Sequence, residues 1–147
     1  GFNPDELSVE KRNGKIYVSL AEKLLFKSGQ TSVASKGKEA LGKLAEVLNK
    51  NPDIAVVIEG HTDNVPIKTA IFKDNWDLSV MRATSIVRIL TEDYAFPSER
   101  ITPSGRGDVF PIASNDTKEG KAKNRRVEII LSPKLDELMK ILEGSNE

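Results

Sequence analysis

An α+β fold, of the α/β-sandwich kind, is what this chain predicts. Three observations carry the expectation. Two long stretches, residues 31–49 and 75–93, repeat apolar residues at helical spacing. Short runs rich in β-branched residues, of which Ile54-Ala55-Val56-Val57-Ile58 is the plainest, read as strands. Turn signals separate the two kinds of segment, so that the order becomes β, α, β, α, β, β, α.

The stretch up to about Asn13 is polar and has no clear period. Asn13-Gly14 is a turn signal, and Lys15 to Leu20 then alternates as the first strand. Leu24-Leu25-Phe26 is an apolar landing point, ended by Ser28-Gly29. In the helix from Thr31 to Asn49, Val33, Leu41, Leu44, Ala45, Val47 and Leu48 recur near helical spacing, with lysines on the other face. Asn51-Pro52-Asp53 stops it.

Ile54 to Ile58 is apolar at every position, which suits a strand buried on both faces. It runs into Glu59-Gly60-His61-Thr62-Asp63-Asn64, a polar loop at the strand's carboxyl end, where ligand sites of α/β sheets form. Residues 65–74 hold Pro66 and show no period, so they read as a loop. Asp74 or Asn75 caps a helix whose stripe is Leu78, Met81, Ile86, Val87 and Leu90. Arg100 to Arg106 is the third strand, Lys121 to Asn124 a helical turn and Arg126 to Leu131 the fourth strand. Pro133 opens a final helix to about Gly144, with Leu135, Leu138, Met139 and Leu142 on one side. No repeat or internal boundary interrupts the 147 residues, so one domain is expected.

Composition narrows the function classes. The 22 Lys+Arg balance 22 Asp+Glu, and a net charge of zero argues against general nucleic-acid binding. No cysteine means no disulfide, no thiolate metal site and no thiol nucleophile. Hydrophobic residues at 38% and charged residues at 30% suit a globular surface. The longest apolar run, Ile54 to Ile58, falls far short of the roughly 20 residues a spanning helix needs. The chain begins at Gly1 rather than at a methionine, so any membrane anchor or export signal is expected upstream of it.

Two segments mix carboxylates, amides and arginines beside strand ends. One is Gly60 to Asn64 followed by Asn75 to Ala83, and the other is Asn115 to Glu128. Asp63 offers two acceptor oxygens that suit an ammonium group. Arg82 offers a planar fork for a carboxylate. A ligand with an α-amino and an α-carboxyl group needs both, and Asn75, Asn124 and backbone N–H groups could complete a polar shell. An ordinary Asp63–Arg82 salt bridge accounts for the same two residues, and spacing alone does not choose.

Four pieces in order resemble the OmpA-like C-terminal domain family. They are Gly60-His61-Thr62-Asp63-Asn64, Asn75 to Ala83, Gly105-Arg106-Gly107 with Pro111, and Asn124-Arg125-Arg126-Val127-Glu128. The MotB-like branch is the nearer match, through Val65-Pro66-Ile67, the long loop before Asn75 and Ala113 to Thr117. The resemblance spans about Lys15 to Leu131. It implies a βαβαβ fold with a mixed four-stranded sheet, helices packed on one face, and the final helix as an extra. It implies a periplasmic peptidoglycan-binding module, attached to the outer or inner membrane through an upstream segment. The bound group would be the diaminopimelate residue of the stem peptide. Asp63 matches the carboxylate that holds its ammonium, Arg82 the arginine that holds its carboxylate, and Asn75, Arg125 and Thr62 further pocket residues. Many members carry an acidic residue after the phenylalanine matching Phe26; here it is Lys27, which leaves that lip with backbone groups alone.

The remaining polar residues have plainer readings. His61, the single histidine, has no partner at metal-ligand spacing and is expected to shape its loop through a hydrogen bond. Trp76 packs at a helix start. Arg126 and Glu128 alternate on a strand as a solvated face. Asp77 sits in a helix's first turn, where it helps the macrodipole, so no carboxylate pair or nucleophile with a base is assembled and no enzyme is expected. Neither a cofactor nor a metal site is predicted. A second expectation is an interaction module with the same fold, pairing with another copy through the final helix.

Overall fold

The structure, a computed structural model, describes residues 3–133 and Leu142. The strands are β1 (Leu7–Arg12), β2 (Lys15–Ala21), β3 (Ile54–His61), β4 (Ile101–Gly105) and β5 (Arg126–Pro133). The helices are α1 (Glu22–Leu25), α2 (Ser35–Asn49), α3 (Asn75–Arg88) and α4 (Lys118–Asn124). One sheet holds the strands in the order β1-β2-β5-β3-β4. It is mixed: β3 pairs parallel with β4, and the other pairings are antiparallel.

The expected α+β class and mixed sheet are present, but with five strands rather than four. The extra strand is β1, which lies in the stretch without a readable period. It forms an edge, and only Leu7 of its six residues is even half-buried, so no apolar alternation marks it. Asn13-Gly14, expected as a turn, joins β1 to β2 as a hairpin, with φ of 50° and 77°. The predicted final helix, residues 133–144, lies outside the described residues apart from Pro133, which ends β5 rather than opening a helix, and Leu142.

Val18 and Leu20 of β2, Val56 and Ile58 of β3, and Val127 and Ile129 of β5 point to one face of the sheet. Leu41, Ala45 and Leu48 of α2 and Ala83 and Ile86 of α3 pack against them. Leu41, Ile58, Ile86 and Ile129 are fully buried, each contributing on the order of 2 kcal/mol of apolar transfer. Two members of the predicted stripes fall outside this core: Val47 and Met81 are 58% and 38% exposed. They lie at i+3 spacing from the half-buried Leu44 and the buried Leu78, which a helical period counts as one face.

Helix α3 begins where predicted. Asp74 caps it, its Oδ1 accepting from the Asp77 backbone N–H at 3.1 Å, while Asp77 Oδ2 accepts from the Lys73 N–H at 2.8 Å. The helix lies unusually close to β3 and β4. A Cβ on Gly60 would run into the Ser79 carbonyl, so glycine is what lets α3 approach the end of β3. That approach carries the next turn of the helix, with Arg82, to the loop that follows β3.

Candidate functional site

Where the sheet pairings end, the site begins. Ala21 and Arg126 form the last β2–β5 pair, and the Glu22 N–H continues the ladder by donating to the Arg125 carbonyl at 3.0 Å. Glu22 and Arg125 are thereby held side by side. The loop after β3 brings Thr62 and Asp63 alongside, anchored by the Thr62 N–H to the Gly107 carbonyl at 2.9 Å. An isolated bridge between Phe26 and Val33 folds the segment between them into a lip. These pieces enclose a cavity of about 220 Å³, lined by Asp63, Arg82, Asn75, Arg125 and Thr62 among others.

All five residues singled out in the sequence therefore meet at one place. The direct Asp63–Arg82 salt bridge is not what joins them. Arg82 is buried and donates from Nε to the Gln30 carbonyl (2.8 Å), from Nη1 to Glu22 Oε2 (2.6 Å) and from Nη2 to the Lys27 carbonyl (3.4 Å). Its guanidinium sits 4.7 Å from the Phe26 ring centre. Asp63 accepts from the Val65 N–H on Oδ1 (3.0 Å) and from Arg125 Nη1 on Oδ2 (2.8 Å). Arg125 also lies 3.3 Å from Glu22 through Nε. Asn75 steadies the loop by donating to the Asp63 and Val65 carbonyls at 3.3 and 3.0 Å. Thr62 spends its hydroxyl on the Asp63 carbonyl at 2.8 Å.

Sequence reasoning missed Glu22. Its signal was faint: a single acidic residue between the end of β2 and the apolar Leu24-Leu25-Phe26. Lys27 enters the lip through its carbonyl, in line with its reading as a backbone contributor. Asn124 does not join the polar shell. It is fully buried, and its amide makes four hydrogen bonds to Ile112, Ala113 and Asn115, locking the loop before α4.

A second charged set lies on the sheet face opposite the helices. Glu59 stands directly across from Glu128, and His61 across from Arg126. Arg126 and Glu128, expected as a solvated face, are 5% and 8% exposed. Their alternation was legible, but the cross-strand partners that bury them were not. His61 Nε2 lies 2.8 Å from Glu59 and 3.4 Å from Glu128. Arg106 approaches Glu59, and Arg12 and Arg126 approach Glu128. Burial pulls the His61 pKa down, but the two facing carboxylates outweigh it and leave it raised. The Glu59 pKa is lowered, chiefly by the hydrogen bond with His61. Burial raises that of Glu128, yet His61 and Arg126 reverse this and leave it lowered. Burial lowers the pKa of Arg126. Glu59, His61 and Glu128 present three ligand atoms within 4.8 Å of one another, so His61 has partners that its spacing did not reveal. Three guanidiniums already neutralise those carboxylates, which works against a further cation.

The OmpA family matches residues 25–125. The chain belongs to the OmpA family. Motility protein B of Bacillus subtilis is 33% identical over 129 residues, 88% of this chain and 49% of that protein. The peptidoglycan-binding protein ArfA of Mycobacterium bovis is 38% identical over 109 residues, 74% of this chain and 32% of that protein. The cell wall anchor of the T6SS from Pseudomonas aeruginosa superposes with a TM-score of 0.80 at 34% identity, covering 88% of this chain and 89% of that one. The chain spans about half the length of the first relatives it matches. Its OmpA-family, MotB-like character agrees with the resemblance read from the motifs, and the family is non-enzymatic. No described helix is long and apolar enough to cross a membrane.

Proposed function

We propose that this domain binds peptidoglycan non-covalently and anchors a membrane-attached protein to the cell wall from the periplasmic side. The group it clamps is the diaminopimelate residue of the stem peptide. The ammonium of that residue meets Asp63, its carboxylate meets Arg82, and Arg125, Asn75 and Thr62 shape the wall around it. The observation that carries this reading is the convergence of Asp63 and Arg82, 19 positions apart in sequence, on one cavity of about 220 Å³. An anionic and a cationic group on one cavity suit a ligand that carries both charges. Membership of the OmpA family, and likeness to a peptidoglycan-binding protein and a cell wall anchor, support the same ligand class.

Pelleting with purified sacculi tests the reading. The unaltered domain is expected to co-sediment, and Asp63→Ala and Arg82→Ala are expected to stay in the supernatant while keeping a cooperative thermal transition. Full pelleting of either variant contradicts the clamp.

A further inference from the structure

Both arms of the proposed clamp are already paired within the protein. Arg82 bonds Glu22, Glu22 meets Arg125, and Arg125 bonds Asp63, at 2.6, 3.3 and 2.8 Å. This is an unbroken row of alternating charges. Its two inner members are a carboxylate and a guanidinium, the same pair of charges that an amino acid carries.

The geometry points to Glu22 and Arg125 as an internal stand-in for the ligand, with Glu22 the occupant that a ligand carboxylate must displace from Arg82. The inference deepens the diaminopimelate reading and rests on it. Three ion pairs exist before the exchange: Arg82–Glu22, Glu22–Arg125 and Arg125–Asp63. Three exist after it: Arg82 with the ligand carboxylate, Asp63 with its ammonium, and Glu22 still with Arg125. No buried charge is stranded, and a ligand bearing both charges leaves the site's net charge unchanged, whereas a lone carboxylate or ammonium shifts it by one. Selectivity for a zwitterion over a simple carboxylate or amine follows from that conservation.

The displaced pair has somewhere to go. Glu22 and Arg125 form the partition between the smaller cavity and a second one of about 500 Å³ on their other side. Lys23 and Lys123 line that larger space and can receive the Glu22 carboxylate. The Arg125 side chain is 32% exposed and that of Glu22 14%, so the partition sits near the surface rather than in the core.

Two titrations on Glu22→Ala test this, with Glu22→Gln run in parallel in case the alanine variant folds poorly. In the first, propionate is added while the melting temperature is followed, with propionamide as the neutral control. Propionate is expected to stabilise Glu22→Ala saturably by filling the vacated face of Arg82, and to leave the unaltered protein unchanged. In the second, calorimetry with meso-diaminopimelate is expected to show about tenfold tighter binding to Glu22→Ala than to the unaltered protein, equivalent to about 1.4 kcal/mol. Tightening without rescue by propionate overturns the stand-in. So does rescue alongside unchanged or weaker affinity in proteins that bind diaminopimelate, and so does failure of both titrations. Rescue by propionate with no diaminopimelate binding to any variant leaves Glu22 as the internal occupant of a carboxylate receptor and overturns the wall ligand instead.

Discussion

The molecule holds two rows of alternating charge, and they behave differently because of where they sit. Glu22, Arg125 and Asp63 stand beside strand ends and Arg82 reaches them from α3; all four line the smaller cavity, and Glu22 and Arg125 line the larger one as well. Glu59, His61, Glu128 and Arg126 stand on the sheet, on neighbouring strands, with side chains between 2% and 14% exposed. Both rows satisfy the rule that buried charges need partners. The row at the strand ends can trade partners with an incoming ligand, because its middle members border open space. Of the row on the sheet only Arg126, at one end, borders a cavity; its middle members, His61 and Glu128, line neither, so its ion pairs serve the fold. The lesson is that charge alternation alone does not mark a binding site; a cavity bordered by the row's middle members does.

The largest effect is expected in the sheet row. Glu128→Ala removes the carboxylate shared by His61, Arg126 and Arg12 and leaves the buried Arg126 without its carboxylate partner. The expected loss is about 3–5 kcal/mol of stability in urea unfolding, with sacculus binding retained at temperatures where the variant stays folded. Arg82→Ala should show the opposite profile, with binding abolished. Its stability cost is smaller, about 2 kcal/mol, because Arg125 keeps Glu22 paired. A loss of stability in Arg82→Ala as large as in Glu128→Ala would erase the distinction between the rows.

Titration sharpens the contrast further. The raised pKa of His61 means that its protonation stabilises the folded state. That contribution is full below about pH 6.5, the ordinary value, and is lost as pH rises through the folded-state pKa. Glu59 and Glu128, with lowered values, contribute stability that is present above about pH 4.5 and lost as pH falls through their folded-state pKa values. Stability should therefore peak in mildly acid solution, between those limits. His61→Gln should flatten the decline on the alkaline side, which melting curves from pH 5 to 9 would reveal; an unchanged profile would remove His61 from the account. The smallest effect belongs to neither row. Glu46→Gln breaks an exposed helical pair with Lys50 and should change stability by no more than about 0.5 kcal/mol.

How much of this was legible in the sequence follows from the same physics. Helices α2 and α3 and strand β3 declared themselves through periods set by burial against a single core. Strand β1 did not, because an edge strand with one half-buried residue has no apolar pattern to show. Asp63, Arg82, Asn75, Arg125 and Thr62 were singled out by residue type and by resemblance, and the fold brings them to one cavity. Glu22 was invisible because its meaning lies in the β2–β5 register, which places it beside Arg125. Arg126 and Glu128 misled for a related reason: alternation on one strand says nothing about what the neighbouring strand presents. Asn124, plausible as a ligand-binding amide, proves to be spent on the loop before α4. Pairings across distant segments are the part of the site that a linear reading lacks.

The most direct measurement of the central claim is a titration of the ¹⁵N-labelled domain with meso-diaminopimelate, followed by amide chemical shifts. Saturable shifts are predicted at Gly29, Val65 and Arg82, around the strand-end cavity, with Tyr17 and Ile130 on the opposite sheet face silent. No shifts at millimolar ligand, or shifts centred on Tyr17 and Ile130, would contradict the assignment of the ligand to the strand-end row.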